Sequence, residues 1–235
     1  MTKIVDLNEI RQQLYERLKA SGWADVLKSF ILGDEFLNIL QQLLDETKQG
    51  KHFTPGLKQV FRAFEECPYK DLKVIVCGQD PYPKKDAADG ISFSCSNLGN
   101  PEASLRYIFK EIGQDIYGDD EYKADPDLKR WANQGILMLN TALTTQVGKI
   151  GMHHEIWRPF TSFLYDTLQR KNPETIHVFL GNKAKEWSAY ADPDKSLFVM
   201  HPATAAYRGG KWYSDKLFIK LTNKVKEQFN YSIIW

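Results

Sequence analysis

The 235-residue sequence predicts an α/β protein, a three-layer α/β/α sandwich around a central, mainly parallel four-stranded sheet. Two observations carry this expectation. Four short apolar runs, 72–77 (LKVIVC), 135–139 (GILML), 176–180 (IHVFL) and 196–200 (SLFVM), are nearly continuous in branched or aromatic residues, as suits strands covered on both faces. Segments with apolar residues at helical spacing lie between them, and strands alternating with helices imply βαβ crossovers and a parallel sheet.

In chain order, the first seventy or so residues read as a helical preface packed on the sheet, within one domain spanning 1–235. Its opening, MTKIVDLNEIRQQLYERLKASGW, mixes charge with helical apolar spacing, unlike a secretory signal or a transit peptide. The first strand run follows, then a stretch from about 80 to 101 rich in turn formers and charge. Residues 104–116 place Leu105, Ile108, Phe109 and Ile112 on one helical face, with Ser104 as the expected N-cap. Residues 157–170 and 214–229 read as helices in the same way, and 182–190 as a shorter one. No repeat, low-complexity tract or flexible linker interrupts the order.

Composition removes several function classes. No apolar run approaches the roughly 20 residues that cross a bilayer. Three cysteines, Cys67, Cys77 and Cys95, form no CxxC pair, which argues against a disulfide framework or zinc knuckle and suits a reducing, cytoplasmic setting. No P-loop, GxGxxG, GxSxG or HExxH motif is present, and no metal or cofactor is expected. His153 and His154 are adjacent, so they point apart and make a poor metal pair; polar loop surface is their expected place. The formal net charge of +1 means that any nucleic-acid contact must rest on local positive charge. No oligomer interface is legible, so a monomer is expected.

Ligands of open α/β sheets bind beyond the carboxyl ends of the strands. There the sequence puts GQDPYP after the first run, Asn140 after the second, Gly181-Asn182 after the third and His201-Pro202 after the fourth. Each has a plain structural explanation alone: a turn opener, a cap, a glycine turn, a satisfied histidine. A carboxylate, an amide, a glycine turn and an imidazole at four equivalent strand ends are better explained as one site.

These residues also carry a resemblance. GQDPY (78–82), followed by GISFS (90–94), resembles the water-activating loop of the family 1 uracil-DNA glycosylases. PEAS (101–104) is similar to that family's proline-rich loop, and WANQGILMLNTALT (131–144) to its uracil-binding strand. HVFLGNKA (177–184) is similar to its glycine–serine loop, and HPATAAYRG (201–209) to its minor-groove intercalation loop. The resemblance covers nearly the whole chain in the family's order and implies the uracil-DNA glycosylase-like fold.

It implies an activity as well: the target nucleotide is flipped out of the helix and its N-glycosidic bond hydrolysed, releasing uracil. Phe93 then stacks on the base, and the Asn140 carboxamide pairs with O4 and N3–H. Tyr82 blocks the C5 position against thymine's methyl, and the Gln79 N–H meets O2. His201 donates to the oxyanion at O2, and Asp80 either orients or deprotonates the attacking water. Ser104, Gly181, Asn182, Pro202, Ala203, Tyr207 and Arg208 are the DNA-contacting positions, with Lys84, Lys85, Lys149, Lys183, Arg208 and Lys211 as local positive charge. The implied partners are uracil-containing DNA, single- or double-stranded, and a proteinaceous inhibitor that mimics DNA.

Three departures from the family pattern stand out. Pro83 follows Tyr82 where the family usually has histidine. HPATAA replaces HPSP and its leucine wedge, leaving Tyr207 or Trp212 as substitutes. Asn182 replaces a serine. These leave two other readings open, a same-fold glycosylase with altered substrate preference and a non-catalytic DNA-binding accessory protein.

Overall fold

The computed structural model describes residues 6–235, so the first five residues of the expected helical preface lie outside it. The preface begins with α1 (Leu7–Arg17), whose first N–H groups are capped by the Asp6 carboxylate accepting from Asn8 and Glu9. Helices α2 (Trp23–Ile31) and α3 (Asp34–Lys48) follow, each burying one apolar stripe. Next come a two-residue strand β1 (Phe53–Thr54), the short helix α4 (Arg62–Glu66) and the first sheet strand, β2 (Val74–Gly78).

The chain continues with α5 (Ala103–Ile112), α6 (Lys129–Ala132), β3 (Ile136–Asn140) and a second two-residue strand, β4 (Thr145–Gln146). Helix α7 (His154–Lys171), β5 (Ile176–Leu180), α8 (Asn182–Lys185), β6 (Ser196–Val199), α9 (Ala203–Arg208) and α10 (Leu217–Phe229) complete it. The sheet order is β3-β2-β5-β6 and every pairing is parallel. All four strands therefore end at one edge, with Gly78 in register with Asn140.

Alternation along the strands sorts side chains to two helical layers. Val76, Met138, Val178 and Leu180 face Ile108 of α5 and Leu217, Phe218 and Leu221 of α10. On the other face, Cys77 and Phe179 meet Tyr165 of α7 and Trp187, with Tyr165 stacked on Trp187 at 5.7 Å. The preface thickens this second layer: Phe30 of α2 packs on Phe160 and Phe163 of α7 at 5.4 and 5.2 Å. Each such ring taken from water contributes about 1.5–3 kcal/mol, enough to hold helices that have little side-chain capping of their own. The α/β sandwich and its parallel sheet are as the sequence predicts.

The element boundaries bring corrections. Ser104 does not cap α5; Glu102 stands at the N-cap and Ser104 is buried within the first turn. Beyond Ile112 the helix widens into a π turn over Gly113–Tyr117. Residues 182–190 divide into α8 and a 3₁₀ turn at Ser188–Tyr190. The last helix starts at Leu217 instead of 214, because Asp215 and Lys216 adopt left-handed φ angles of 54° and 57°. The ribbon of β1 with β4 went unforeseen, since two-residue strands carry no periodicity. Residues 203–208, read as loop, are helical. Their three alanines favour it, and His201 supplies the cap: its Nδ1 accepts from the Ala203 N–H at 3.1 Å.

Candidate active site

The strand ends converge. A cavity of about 150 Å³ at the carboxyl edge of the sheet is lined by Gln79, Asp80, Tyr82, Phe93, Asn140 and His201. Ser104, Ala203 and Tyr207 also line it. Pro202 and Arg208 adjoin these residues in the chain and Gly181 packs against His201, all three without lining the cavity, and Asn182 is exposed on α8.

Asp80 leaves β2 by way of Gln79 and is anchored from across the cleft. Its Oδ2 accepts the Gly151 N–H at 2.6 Å. Burial raises its pKa above the usual aspartate value; the Gly151 N–H and the nearby His154 oppose that rise without cancelling it. The result is a carboxylate held in place, partly desolvated and more basic than in water.

Asn140 ends β3 beside Gly78. Its Oδ1 accepts from the Ser92 hydroxyl at 2.7 Å, which fixes the amide plane. Gly78 has to be glycine here, because a Cβ would lie 2.7 Å from both Asn140 Oδ1 and Ser92 Oγ. Phe93 stands beside this amide with φ at +64°, a left-handed conformation costing roughly 1–2 kcal/mol for a residue with a side chain. Its neighbours hold it there. Ser92 N–H donates to the Met138 carbonyl at 3.0 Å, and the Tyr82 hydroxyl donates to the Phe93 carbonyl at 3.0 Å. Behind the loop, the fully buried Asp89 accepts from the Ile91 N–H, the Ser94 hydroxyl and the Ser96 N–H, and pairs with Arg62 at 2.9 Å. The Tyr82–Phe93 bond also sets the tyrosine ring against the aromatic wall.

His201 follows β6. Because Nδ1 is the acceptor in its bond to Ala203, the proton of the neutral ring sits on Nε2. Burial lowers the pKa to about 4, so the ring is neutral near pH 7 and acts as a donor. It lies 5.3 Å from the Phe93 ring, centroid to centroid. Gly181, at φ +90°, lets β5 end against it, since a Cβ there would come within 2.8 Å of His201 Cβ.

Several residues escaped the sequence reading. Ser92 and Gly151, which fix the amide and the carboxylate, carry no signature, because their roles need partners 48 and 71 positions away. His153 and His154 do not belong to polar loop surface. His153 stands at the N-cap of α7 and His154 begins the helix; His153 is fully buried, its Nε2 3.0 Å from Glu46 and its Nδ1 2.8 Å from Thr144. His154 Nδ1 meets Thr141 Oγ1 at 3.3 Å, and that hydroxyl donates to the Gln79 carbonyl at 2.6 Å. Trp212 is buried with 2% exposure and bonded to the Met200 carbonyl, which removes it as a wedge. Tyr207 is 77% exposed. Two of the lysines expected to supply positive charge are neutralised, Lys84 by Glu102 and Lys183 by Glu186. Among the described residues, no group of three or more His, Cys, Asp or Glu side chains gathers to hold a metal ion, and no helix is long and apolar enough to cross a membrane.

With this geometry in place, comparison with known proteins is informative. A sequence profile of the Uracil DNA glycosylase superfamily matches residues 64–226. The chain is 35% identical over 215 residues to a uracil-DNA glycosylase of Borreliella burgdorferi, covering 86% of this chain and 94% of the relative. It is 29% identical over 234 residues to one from Acinetobacter baylyi, covering 97% and 98%. In fold it is similar to the crystal structure of the mimivirus uracil-DNA glycosylase, with a TM-score of 0.80 at 22% identity over 98% of this chain and 89% of the other. It is similar at the same TM-score to a mimivirus structure in complex with UGI, at 24% identity over 93% and 90%.

Proposed function

The chain belongs to the uracil-DNA glycosylase superfamily, and on that premise we propose that it hydrolyses the N-glycosidic bond of uracil in DNA, leaving an abasic site for repair. The observation that carries this reading is the meeting of Asp80, Phe93, Asn140 and His201 on one cavity bounded by Tyr82. A base cannot be reached inside a duplex, so the nucleotide is flipped out at a cost of a few kcal/mol, and the pocket repays it.

Within the pocket, uracil stacks on Phe93. The Asn140 amide, offering one donor and one acceptor, matches the O4 and N3–H edge; cytosine presents the reversed polarity and leaves buried groups unpaired. Tyr82, tied to the Phe93 carbonyl, occupies the space a C5 methyl needs. As the glycosidic bond lengthens, negative charge gathers on the base at O2, where the Gln79 N–H and the neutral His201 Nε2–H donate. The fixed Asp80 carboxylate stabilises the cationic sugar and orients or deprotonates the water that attacks it. Pro83 adds no polar side chain here, but its carbonyl accepts from the Gly148 N–H at 2.8 Å and pins the loop.

Ser104, Gly181, Asn182, Pro202, Ala203 and Arg208 contact the backbone around the flipped nucleotide, and exposed Tyr207 fills the gap left in the strand. A DNA-mimicking protein inhibitor is a further partner, supported by the UGI complex of the mimivirus relative. The three unpaired cysteines support a cytoplasmic setting.

Release of free uracil from a labelled oligonucleotide tests the reading. Wild type is expected to release it. Asp80→Asn and His201→Leu are each expected to lower kcat by about 10²–10³ with little change in KM. DNA binding without release would instead select the accessory-protein reading.

A further inference from the structure

A second cleft, of about 350 Å³, lies on the far side of α9 from the catalytic cavity, between α5 and the segment that follows α9. The two adjoin along both helices: Ser104 lines the cavity and its neighbour Ala103 the cleft on α5, and Tyr207 lines the cavity and its neighbour Ala206 the cleft on α9. The cleft is a built feature. The Tyr107 hydroxyl donates to the carbonyls of Ala205 and Gly210 at 3.3 and 3.1 Å, and one turn further along α5 the Ser214 hydroxyl donates to Glu111 at 2.7 Å. The 209–214 segment is thus laid alongside the helix.

On the open side stand Arg106 and Lys110, exposed and four residues apart, about 6 Å along the helix. Exposed Arg208 and Lys211 flank the cleft in the 208–211 segment. None of these four makes an ion pair among the described residues, unlike Lys19, Lys48, Lys129 and Lys220, which each face a carboxylate. The acids of the same helix are already engaged, Glu102 by Lys84 and Glu111 by Ser214. Tyr213, 79% exposed, follows Lys211 by two residues in the same segment and offers a flat aromatic. Unpaired cations interleaved with exposed aromatics are the footprint of a polyanion with stackable bases.

We propose that the α5–α9 cleft is a second DNA subsite, in which Arg106 and Lys110 contact phosphates of the strand beyond the flipped nucleotide and Tyr213 stacks on a neighbouring base. This rests on the glycosylase reading, because continuity with that cavity identifies the polyanion as DNA. The subsite contributes to binding and not to chemistry. It engages only oligonucleotides long enough to reach past α9.

The test is binding of uracil-free single strands of 30 and of 5 nucleotides, followed by fluorescence anisotropy over a salt series, with uracil release measured on matching substrates. For Arg106→Ala/Lys110→Ala the dissociation constant of the 30-mer is expected to rise about tenfold. The slope of its logarithm against log salt should fall by about 1.4, since two contacts at roughly 0.7 each are lost on a single strand. The 5-mer should bind unchanged, KM on the long substrate should rise and kcat should hold. Lys110→Ala alone removes a side chain with no hydrogen bond in the structure, so its share of the effect cannot arise from misfolding. Equal losses on both lengths, or none on the 30-mer, would overturn the subsite. A wild type that binds DNA without releasing uracil would sink the glycosylase reading while the binding arm still decides the cleft.

Discussion

At the scale of single residues, specificity depends on side chains that hold other side chains still. In the proposed function Tyr82 guards the pocket, and its hydroxyl, tied to the Phe93 carbonyl, keeps the ring from swinging away when a methylated base approaches. Tyr82→Ala is therefore expected to release thymine as well as uracil from DNA, measured as free base from matched oligonucleotides. If thymine release stays undetectable, another group excludes the methyl. The same reasoning explains what the letters hid. Asp80, Asn140 and His201 were legible because chemistry demands those residue types at strand ends. Ser92, Gly151 and His154 were not, because serine, glycine and histidine are common and their importance arises from distant partners.

At the scale of elements, we propose that the short helix α9 decides how the protein meets a double helix. Its alanines make a compact ramp in place of a bulky apolar tip, and the one exposed aromatic side chain it offers is Tyr207. A tyrosine stacks on bases but carries a polar hydroxyl, so it penetrates a duplex less readily than an aliphatic wedge. Single-stranded uracil DNA should be cleaved at least as well as duplex. Tyr207→Ala should slow the duplex reaction several-fold and leave the single-strand rate nearly unchanged, by side-by-side kcat/KM. A clear duplex preference in the wild type would contradict this account. Sequence periodicity does not reveal α9, because a six-residue helix with three alanines has too little apolar patterning to register. Its cap, a histidine ring nitrogen, also lies outside the usual capping residues.

At the scale of the whole molecule, one apolar cluster runs from Leu14 of the helical preface through the sheet to Trp235, and we propose that the chain unfolds as a single unit. Its stability should depend on pH through buried neutral imidazoles. His177 packs beside the rings of Tyr165 and Phe179, at 5.7 and 5.9 Å, and burial lowers its pKa to about 4 from an ordinary 6.5. The unfolded chain then binds the proton more readily, so this stability is full above pH 6.5 and is lost as pH falls towards 4. The loss reaches at most about 3 kcal/mol. His201, partly buried and likewise lowered to about 4, acts in the same direction. Thermal melts at pH 7, 5.5 and 4.5 should show Tm falling, and His177→Phe should flatten that fall. An unaltered slope in the variant would assign the acid sensitivity elsewhere.

Although Gly181-Asn182 past the third strand do not line the cavity, the α/β class, the four sheet strands and the cavity-lining Asp80, Asn140 and His201 past the other three were legible in the sequence. Those features are written in local patterns, in strands apolar on both faces, helical spacing, and functional types placed just past each strand. The tertiary structure alone decided that β3 lies beside β2, so that Asn140 meets Gly78 and Ser92. It also decided that Gly151 reaches back to hold Asp80, and that α9 and α5 enclose a second basic cleft. Such juxtapositions depend on which distant segments pack together. That is fixed by the shape and volume of the shared core, and no local window of sequence contains it.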